Sequence, residues 1–196
     1  MYAFKVLESY GYFSFSIILV LYLSDEFGQS DVQAGWLYGL FGGMTTVYGL
    51  MVGFLIDNLG VRRSLILGSL LLLVARSMAM LTSSINVMAA VLLFFMPLGT
   101  ALGIPVLTTA IRRYTTDDNR AVAFGLFYAA MNVAALLSGP AADLLRGGFG
   151  CGATVLGVHL SAYRLLVLTN VIATLAQLAI AVLGVREIEV LGGTDG

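Results

Sequence analysis

Charge is what this sequence has least of. Only 11% of its 196 residues are Asp, Glu, Lys or Arg, while 59% are hydrophobic and the mean hydropathy is +0.96. A soluble domain carries roughly 25% charged residues to face water, so the main solvent of this chain is lipid. The net charge of −1 leaves no basic patch of the kind a nucleic-acid partner requires. One cysteine, Cys151, excludes an intramolecular disulfide and a multi-cysteine metal site, and reads as a small residue in a Gly-rich loop. The single histidine, His159, cannot build a metal cluster and reads as interfacial. There is no P-loop, no nucleophile elbow and no His-Glu-x-x-His. Gly147-Gly148-Phe149-Gly150 has no strand before it and reads as a flexible linker rather than a phosphate cradle. Neither enzymatic activity nor a cofactor or metal is expected. The N-terminal apolar run ends at Leu-Ser-Asp-Glu, not at a small-residue cleavage site, and reads as a membrane span rather than a cleavable signal.

What the chain has instead is long apolar runs. Spanning lipid as a helix takes about 20 mostly apolar residues, and six stretches qualify. They run from near the start to Leu23, then Ala34 to Ile56, Ser64 to Leu81, Val87 to Ile111, Ala121 to Leu144 and Tyr163 to Val185. The polar connections are Ser24–Asp31, Asp57–Arg63, Thr82–Asn86, Arg112–Arg120 and Arg146–Leu160. The expected organisation is an all-α, six-helix bundle over 1–186, followed by a short disordered tail over 187–196.

Cations choose the orientation. Arg62, Arg63, Arg112, Arg113 and Arg120 flank the second and fourth connections, with Lys5 and Arg186 near the termini. The first connection carries only Asp25, Glu26 and Asp31, and the third no charge. Both termini are therefore expected in the cytoplasm.

The spans carry local breaks. The fourth holds Pro97, Gly99, Gly103 and Pro105, and the fifth Gly139-Pro140. Such breaks survive in a membrane where protein or a water-filled cavity satisfies the freed backbone groups. They read either as packing kinks or as flexible walls of a transport path. Gly39, Gly42, Gly43, Gly49 and Gly53 would let the second span approach a neighbour closely. Gly53-x-x-x-Asp57 closes the second span and Gly139-x-x-x-Asp143 the fifth, at opposite membrane faces. An inverted three-plus-three repeat would place them so.

The stretch Gly53-Phe54-Leu55-Ile56-Asp57-Asn58-Leu59-Gly60-Val61-Arg62-Arg63 is a helix end, a short turn and a helix start with cations at one face. Its spacing, G-x-x-x-D-x-x-G-x-R-R, resembles the signature loop of the major facilitator superfamily. With six spans and a cationic fourth connection, the chain looks like the N-terminal half of such a transporter. The resemblance implies alternating access of the six-helix bundle against a second one, with a small-molecule solute at the midplane and a coupling ion as a further partner. It makes Gly53, Asp57, Gly60, Arg62, Arg63 and Arg120 cytoplasmic gating residues. One departure is Asn58, where the family commonly has a basic residue. The second bundle is either a missing C-terminal half or a second copy. The rival reading is a non-transporting subunit or remnant packed against another membrane protein.

Two stretches are also similar to the proton-coupled oligopeptide transporter branch: Leu7-Glu8-Ser9-Tyr10-Gly11-Tyr12 through Leu23, and Phe127-Tyr128-Ala129-Ala130-Met131-Asn132. That branch pairs acidic residues with an Arg in the first helix and places a Lys before a Pro in the fourth. Here Ser9 follows Glu8, and the fourth span has Ile104-Pro105.

An ionisable side chain within a span costs about 2.5–3.5 kcal/mol on insertion scales and is a functional candidate by default. Glu8 lies two turns inside the first span. It reads either as a site for a proton or cationic solute group, or as a structural partner of Lys5 near the membrane surface. Arg76 lies roughly 21 Å beyond Arg62 at about 1.5 Å per residue, in the outer half of the third span. It reads as a scaffold ion pair or snorkelling residue, with anion recognition the alternative. Tyr10, Tyr12, Tyr128 and Asn132 offer polar contacts to the path, Asn132 as a mid-span amide that needs a partner. Tyr22 and Tyr163, at span ends, read as interfacial anchors.

Overall fold

A computed structural model describes residues 1–155 and 157–184, with the side chains of 54–57, 104, 113 and 114 outside the description. Arg186, the proposed tail 187–196 and the Asp57 side chain therefore lie outside the described residues. Within them the order is α1 (Tyr2–Phe27), α2 (Asp31–Leu59), α3 (Val61–Leu81) and a broken fourth segment, followed by α7 (Asp117–Gly148) and α8 (Ala162–Gly184). The fourth segment comprises α4 (Ile85–Ala90), a π-turn (Val91–Phe95), α5 (Met96–Ala101) and α6 (Ile104–Tyr114). Five of the six segments are long and apolar enough to cross a membrane by the described residues alone, and α2 adds a sixth helix of 29 residues. The chain is an all-α, polytopic membrane protein.

Local chemistry sets the ends. Gly28 stops α1 in the left-handed conformation (φ 64°), its N–H bonding Leu23 O. Asp25 and Glu26, expected in the first connection, both lie in the last turn of α1. Carboxylates are disfavoured at that negative helix end, and Arg164 offsets this through an Nε–Oε2 contact of 2.7 Å to Glu26. Tyr163 donates to Asp25 Oδ2 at 2.5 Å, and Ser161 donates to Glu26. At the start of α2, Ser30 N–H donates to Gln33 Oε1 at 3.1 Å, while Gln33 N–H donates to Ser30 Oγ at 3.4 Å. This is a reciprocal capping box. Gly60, at φ 78°, makes the one-residue link between α2 and α3.

The fourth span is more fragmented than its hydropathy suggests. Pro97 and Pro105 fall in the opening turns of α5 and α6, where the missing N–H costs least. The π-turn before α5 and the Leu102-Gly103 break before α6 absorb the remaining misfit. Helix α7 instead runs through Gly139-Pro140 and includes Gly147-Gly148, which are helical rather than linker. The rest of that connection holds a small antiparallel hairpin, β1 (Ala153–Val155) with β2 (Val158–Leu160), in which Thr154 faces His159.

α1 lies along α7 and α8, α3 along α8 and α5, and α2 along α5. The core joins Phe15, Ile18 and Leu19 to Leu72, Met88 and Leu92, and a second cluster joins Phe4 to Leu65, Leu102 and Phe127. Tyr22 is no interfacial anchor: it is fully buried and donates to Ala79 O at 2.7 Å. The glycine expectation also fails at its chosen positions. A Cβ at Gly39, Gly42, Gly43, Gly49 or Gly53 would meet nothing within 4 Å. The close crossing is α3 over α5, where a Cβ on Gly68 would lie 2.9 Å from Leu102 Cβ and one on Gly99 2.8 Å from Leu72 Cγ. The α2 glycines therefore lie on a face that the rest of the described residues leave open. α7 is similarly bare: 22% of its most apolar window is buried, against 50% for α1 and α8.

Candidate functional site

Three charged side chains are buried among the described residues: Lys5, Glu8 and Arg76, exposed by 2%, 2% and 3%. Lys5 and Glu8 sit one turn apart on α1, and Lys5 Nζ lies 2.8 Å from Glu8 Oε2. The ammonium also lies 4.9 Å from the ring centroid of Phe127, a cation–π contact. Phe127 is ten residues into α7, so the pair sits roughly 15 Å along that helix and not at its mouth. An ion pair at such depth persists only when further bonds satisfy both partners. Here one atom is left over: Glu8 Oε1 has no hydrogen-bond partner. It points at the break in the fourth span, where a Cβ on Gly103 would lie 3.0 Å away. Ser9 Oγ, equally buried, is also unpartnered.

Lys5, Glu8 and Ser9 line a cavity of about 150 Å³ with Tyr12, Phe13, Thr45 of α2 and Met131 of α7. A second hollow of about 170 Å³ lies beside it between α2 and the fourth span, lined by Thr45, Gly49, Thr100, Ala101 and Pro105. Thr45 belongs to both. The first hollow lies where α2 and α7 flank α1, and the second continues from it along α2 toward the fourth span.

Arg76 reaches the cluster from behind. Its guanidinium occupies the place a side chain at residue 11 would take, so glycine there is a steric requirement. Nη1 donates to Thr174 Oγ1 and, at 3.4 Å, to Asn170 O. Ser14 donates to Asn170 Oδ1 at 2.7 Å, and Gln177 Nε2 donates to Ser69 Oγ at 3.2 Å. A buried polar seam thus joins α1, α3 and α8. Gly11 is one turn beyond Glu8, which puts the guanidinium within electrostatic range of that carboxylate.

The remaining candidates divide by face. Tyr12 lines the cavity and packs its ring against Phe13 and Phe41, at 5.5 and 6.2 Å between centroids. Tyr10 turns away from it, its hydroxyl 2.9 Å from Thr169 Oγ1 of α8. Tyr128 is 54% exposed and Asn132 is exposed, so Asn132 is not the buried mid-span amide the sequence suggested. Both lie on the open part of α7. Glu8 and Arg76 are brought together, and Asn132 stays apart from them.

At the arginine-bearing end, Arg62 Nη2 donates to Val182 O at 2.7 Å, tying α3 to the last turn of α8. Arg120 pairs with Asp117 one turn earlier at 2.6 Å. Arg63 is exposed, and Gly53 faces open space. Sequence reasoning missed Gly11, Thr45, Thr174 and Asn170, which look like ordinary packing residues until their neighbours are known. Lys5 appeared there only as an orienting cation near the N-terminus and as Glu8's structural partner.

The comparisons with known proteins agree with this architecture. The chain is 31% identical over 157 residues to dipeptide and tripeptide permease B of Photorhabdus asymbiotica subsp. asymbiotica, covering 75% of the chain and 31% of the permease. It therefore spans about a third of that relative's length. Among solved structures it superposes on one reported under substrate recognition in proton-dependent oligopeptide transporters, with a TM-score of 0.83 at 19% identity, covering 97% of this chain and 42% of the other. A peptide transporter solved in complex with sulfate gives 0.79 at 20% identity, covering 92% and 36%. At these identities the structures speak for the fold alone. Residues 3–191 match the sequence profile of the Major Facilitator Superfamily, and the chain belongs to that family of membrane transporters.

Proposed function

We propose that this chain is the N-terminal-type bundle of a secondary active transporter that carries a small peptide-like solute by alternating access. The observation that carries the reading is the charged cavity of Lys5, Glu8 and Ser9, set between two helices whose faces the described residues leave open. Polar and charged groups inside a membrane protein mark solute or ion pathways. The bare faces of α2 and α7 fit a second six-helix bundle, with the cavity closed between the two. A peptide-like solute is favoured by the dipeptide and tripeptide permease relative. In this arrangement Tyr12, Tyr128 and Asn132 look onto the path, while Tyr10 serves packing against α8. Asp57, Gly60, Arg62, Arg63 and Arg120 lie toward one end and take the gating role there. That end is cytoplasmic by the distribution of arginines. A proton or sodium gradient supplies the energy.

The test is uptake of radiolabelled Ala-Ala by proteoliposomes holding the full-length protein, under an imposed pH or sodium gradient. Saturable uptake that unlabelled dipeptide competes supports the reading. Absence of uptake under both gradients, with folded and correctly inserted protein, would overturn it in favour of a non-transporting membrane subunit.

A further inference from the structure

Apart from the charged cavity, an open groove of about 470 Å³ runs between the last turns of α3 and the start of α4. Leu73, Val74, Met78 and Leu81 of α3 wall it with Val87 of α4, and its only hydroxyls are Ser77 midway and Thr82 at the end. It lies on the side of α3 turned from the core. Gly68, Leu72, Ala75 and Ala79 are buried on the other side, while Leu67, Leu70, Val74 and Leu81 are exposed. No residue of α2 or α7, the two helices with bare faces, lines this groove.

The chemistry changes at the mouth. Ser83, Ser84 and Asn86 are exposed there. Arg164 of α8 donates from Nη2 to Thr82 O at 3.0 Å and to Ser83 Oγ at 3.3 Å, and from Nε to Glu26 Oε2 at 2.7 Å. A cation thus stands between the end of an apolar groove and a carboxylate, and the neighbouring Asp25 is exposed.

We propose that this groove is a lipid site that holds one acyl chain of a zwitterionic phospholipid, with the phosphate at Ser83 and Arg164 and the amine toward Glu26 and Asp25. The inference is independent of the solute reading and rests on the chain's place in the bilayer. Length supports it. Leu73 to Thr82 covers about 13 Å of helix at 1.5 Å per residue, close to the roughly 15 Å of one leaflet in a hydrocarbon core of about 30 Å. The groove is thus one acyl chain deep and ends where a headgroup begins, in the leaflet at the end opposite Arg62 and Arg63. Charge order supports it as well. Guanidinium is the side chain best matched to phosphate, and the two carboxylates beyond it suit the cationic end of the same headgroup. A purely anionic headgroup would meet those carboxylates without an amine to offset them.

The experiment titrates delipidated, full-length protein in detergent with phosphatidylethanolamine, phosphatidylglycerol and diacylglycerol of the same chains, followed by native mass spectrometry. The panel is wild type, Val74→Trp, which fills the groove, Ser83→Asp, which puts an anion at the phosphate position, and Leu175→Trp on the exposed face of α8. Each variant is first checked for a cooperative melt. Wild type is expected to bind one phosphatidylethanolamine per chain, at least about fivefold more tightly than either other lipid. Val74→Trp and Ser83→Asp should each weaken that binding about tenfold or more, and Leu175→Trp should not. Equal binding in Val74→Trp and Leu175→Trp would mean that lipid merely coats the surface, and overturns the site. Equal affinity for all three lipids would mean that no headgroup is recognised, and overturns it too. A wild type that binds no discrete lipid has the same consequence, and leaves the groove to another protein. Peptide uptake is not the readout, so none of these results bears on the solute reading.

Discussion

The guanidinium of Arg76 and the side-chain position of Gly11 are the same piece of space. A methyl group on residue 11 would overlap the guanidinium carbon and both its terminal nitrogens. Arg76 cannot simply swing aside, because Thr174 and the Asn170 carbonyl hold its other side within the α3–α8 seam.

Gly11→Ala is therefore expected to destabilise the fold by about 1–3 kcal/mol, the usual range for overpacking a closed site. Gly35→Ala, a helical glycine whose added Cβ meets nothing within 4 Å, should be neutral to slightly stabilising. The check is thermal unfolding of both variants in detergent, followed by intrinsic fluorescence. Equal melting temperatures would show that Arg76 does not depend on this gap.

At the other end of α1, Arg164 bridges three segments. It pairs with Glu26 at 2.7 Å and donates from Nη2 to Thr82 O at 3.0 Å and Ser83 Oγ at 3.3 Å. Both charged side chains are largely covered, so the pair is screened less than a surface one. Glu26→Gln should cost about 1–2 kcal/mol. Arg164→Gln should cost more, since it also strips the α3–α4 turn of its donors. A double-mutant cycle on melting free energies checks the coupling, and additive single-site losses would mean that the two residues act independently.

Arg62 offers a separable case, because one residue has two candidate roles. As a brace it ties α3 to Val182 O at 2.7 Å. Loss of that bond in Arg62→Ala should lower stability by only about 0.5–1 kcal/mol. As a gate it should change transport rate well beyond what so small a loss explains. Uptake rates normalised to folded protein discriminate the two. A rate that falls only in proportion to folded protein would leave Arg62 as a brace.

How much of this could be read from the sequence depended on whether the signal was local. The six spans follow from apolar run length, and the α2–α3 link from Gly60 and the flanking arginines. Errors came wherever a distant partner decided. Asp25 and Glu26 look like loop residues until Arg164, some 138 positions on, neutralises the end of α1. Gly53 looks like a packing glycine but faces open space, whereas Gly68 and Gly99, in unremarkable runs, make the tightest crossing. Glu8 and Arg76 stand out as costly charges in lipid, yet the placement of the Arg76 guanidinium against Gly11, one turn from Glu8, depends on the rotation of α3 about its axis, which a hydropathy pattern does not specify. The same holds for Asn132: its depth is legible, its face is not.

That face supports the final prediction. Tyr128 and Asn132 are one turn apart on the bare part of α7, beside the cavity-lining Met131. Ile172 of α8 is comparably bare but belongs to a purely apolar surface with Leu175 and Val182. Asn132 on a lipid-facing surface would have to leave its amide unsatisfied in hydrocarbon, whereas on a water-filled path it is solvated. In a Cys151→Ser background, Asn132→Cys should react in bilayers with a hydrophilic, membrane-impermeant maleimide, and a saturating solute should slow that reaction. Ile172→Cys should stay unlabelled. If Asn132→Cys stays as unlabelled as Ile172→Cys, α7 does not line an aqueous path, and its open face is covered by lipid or packed protein instead.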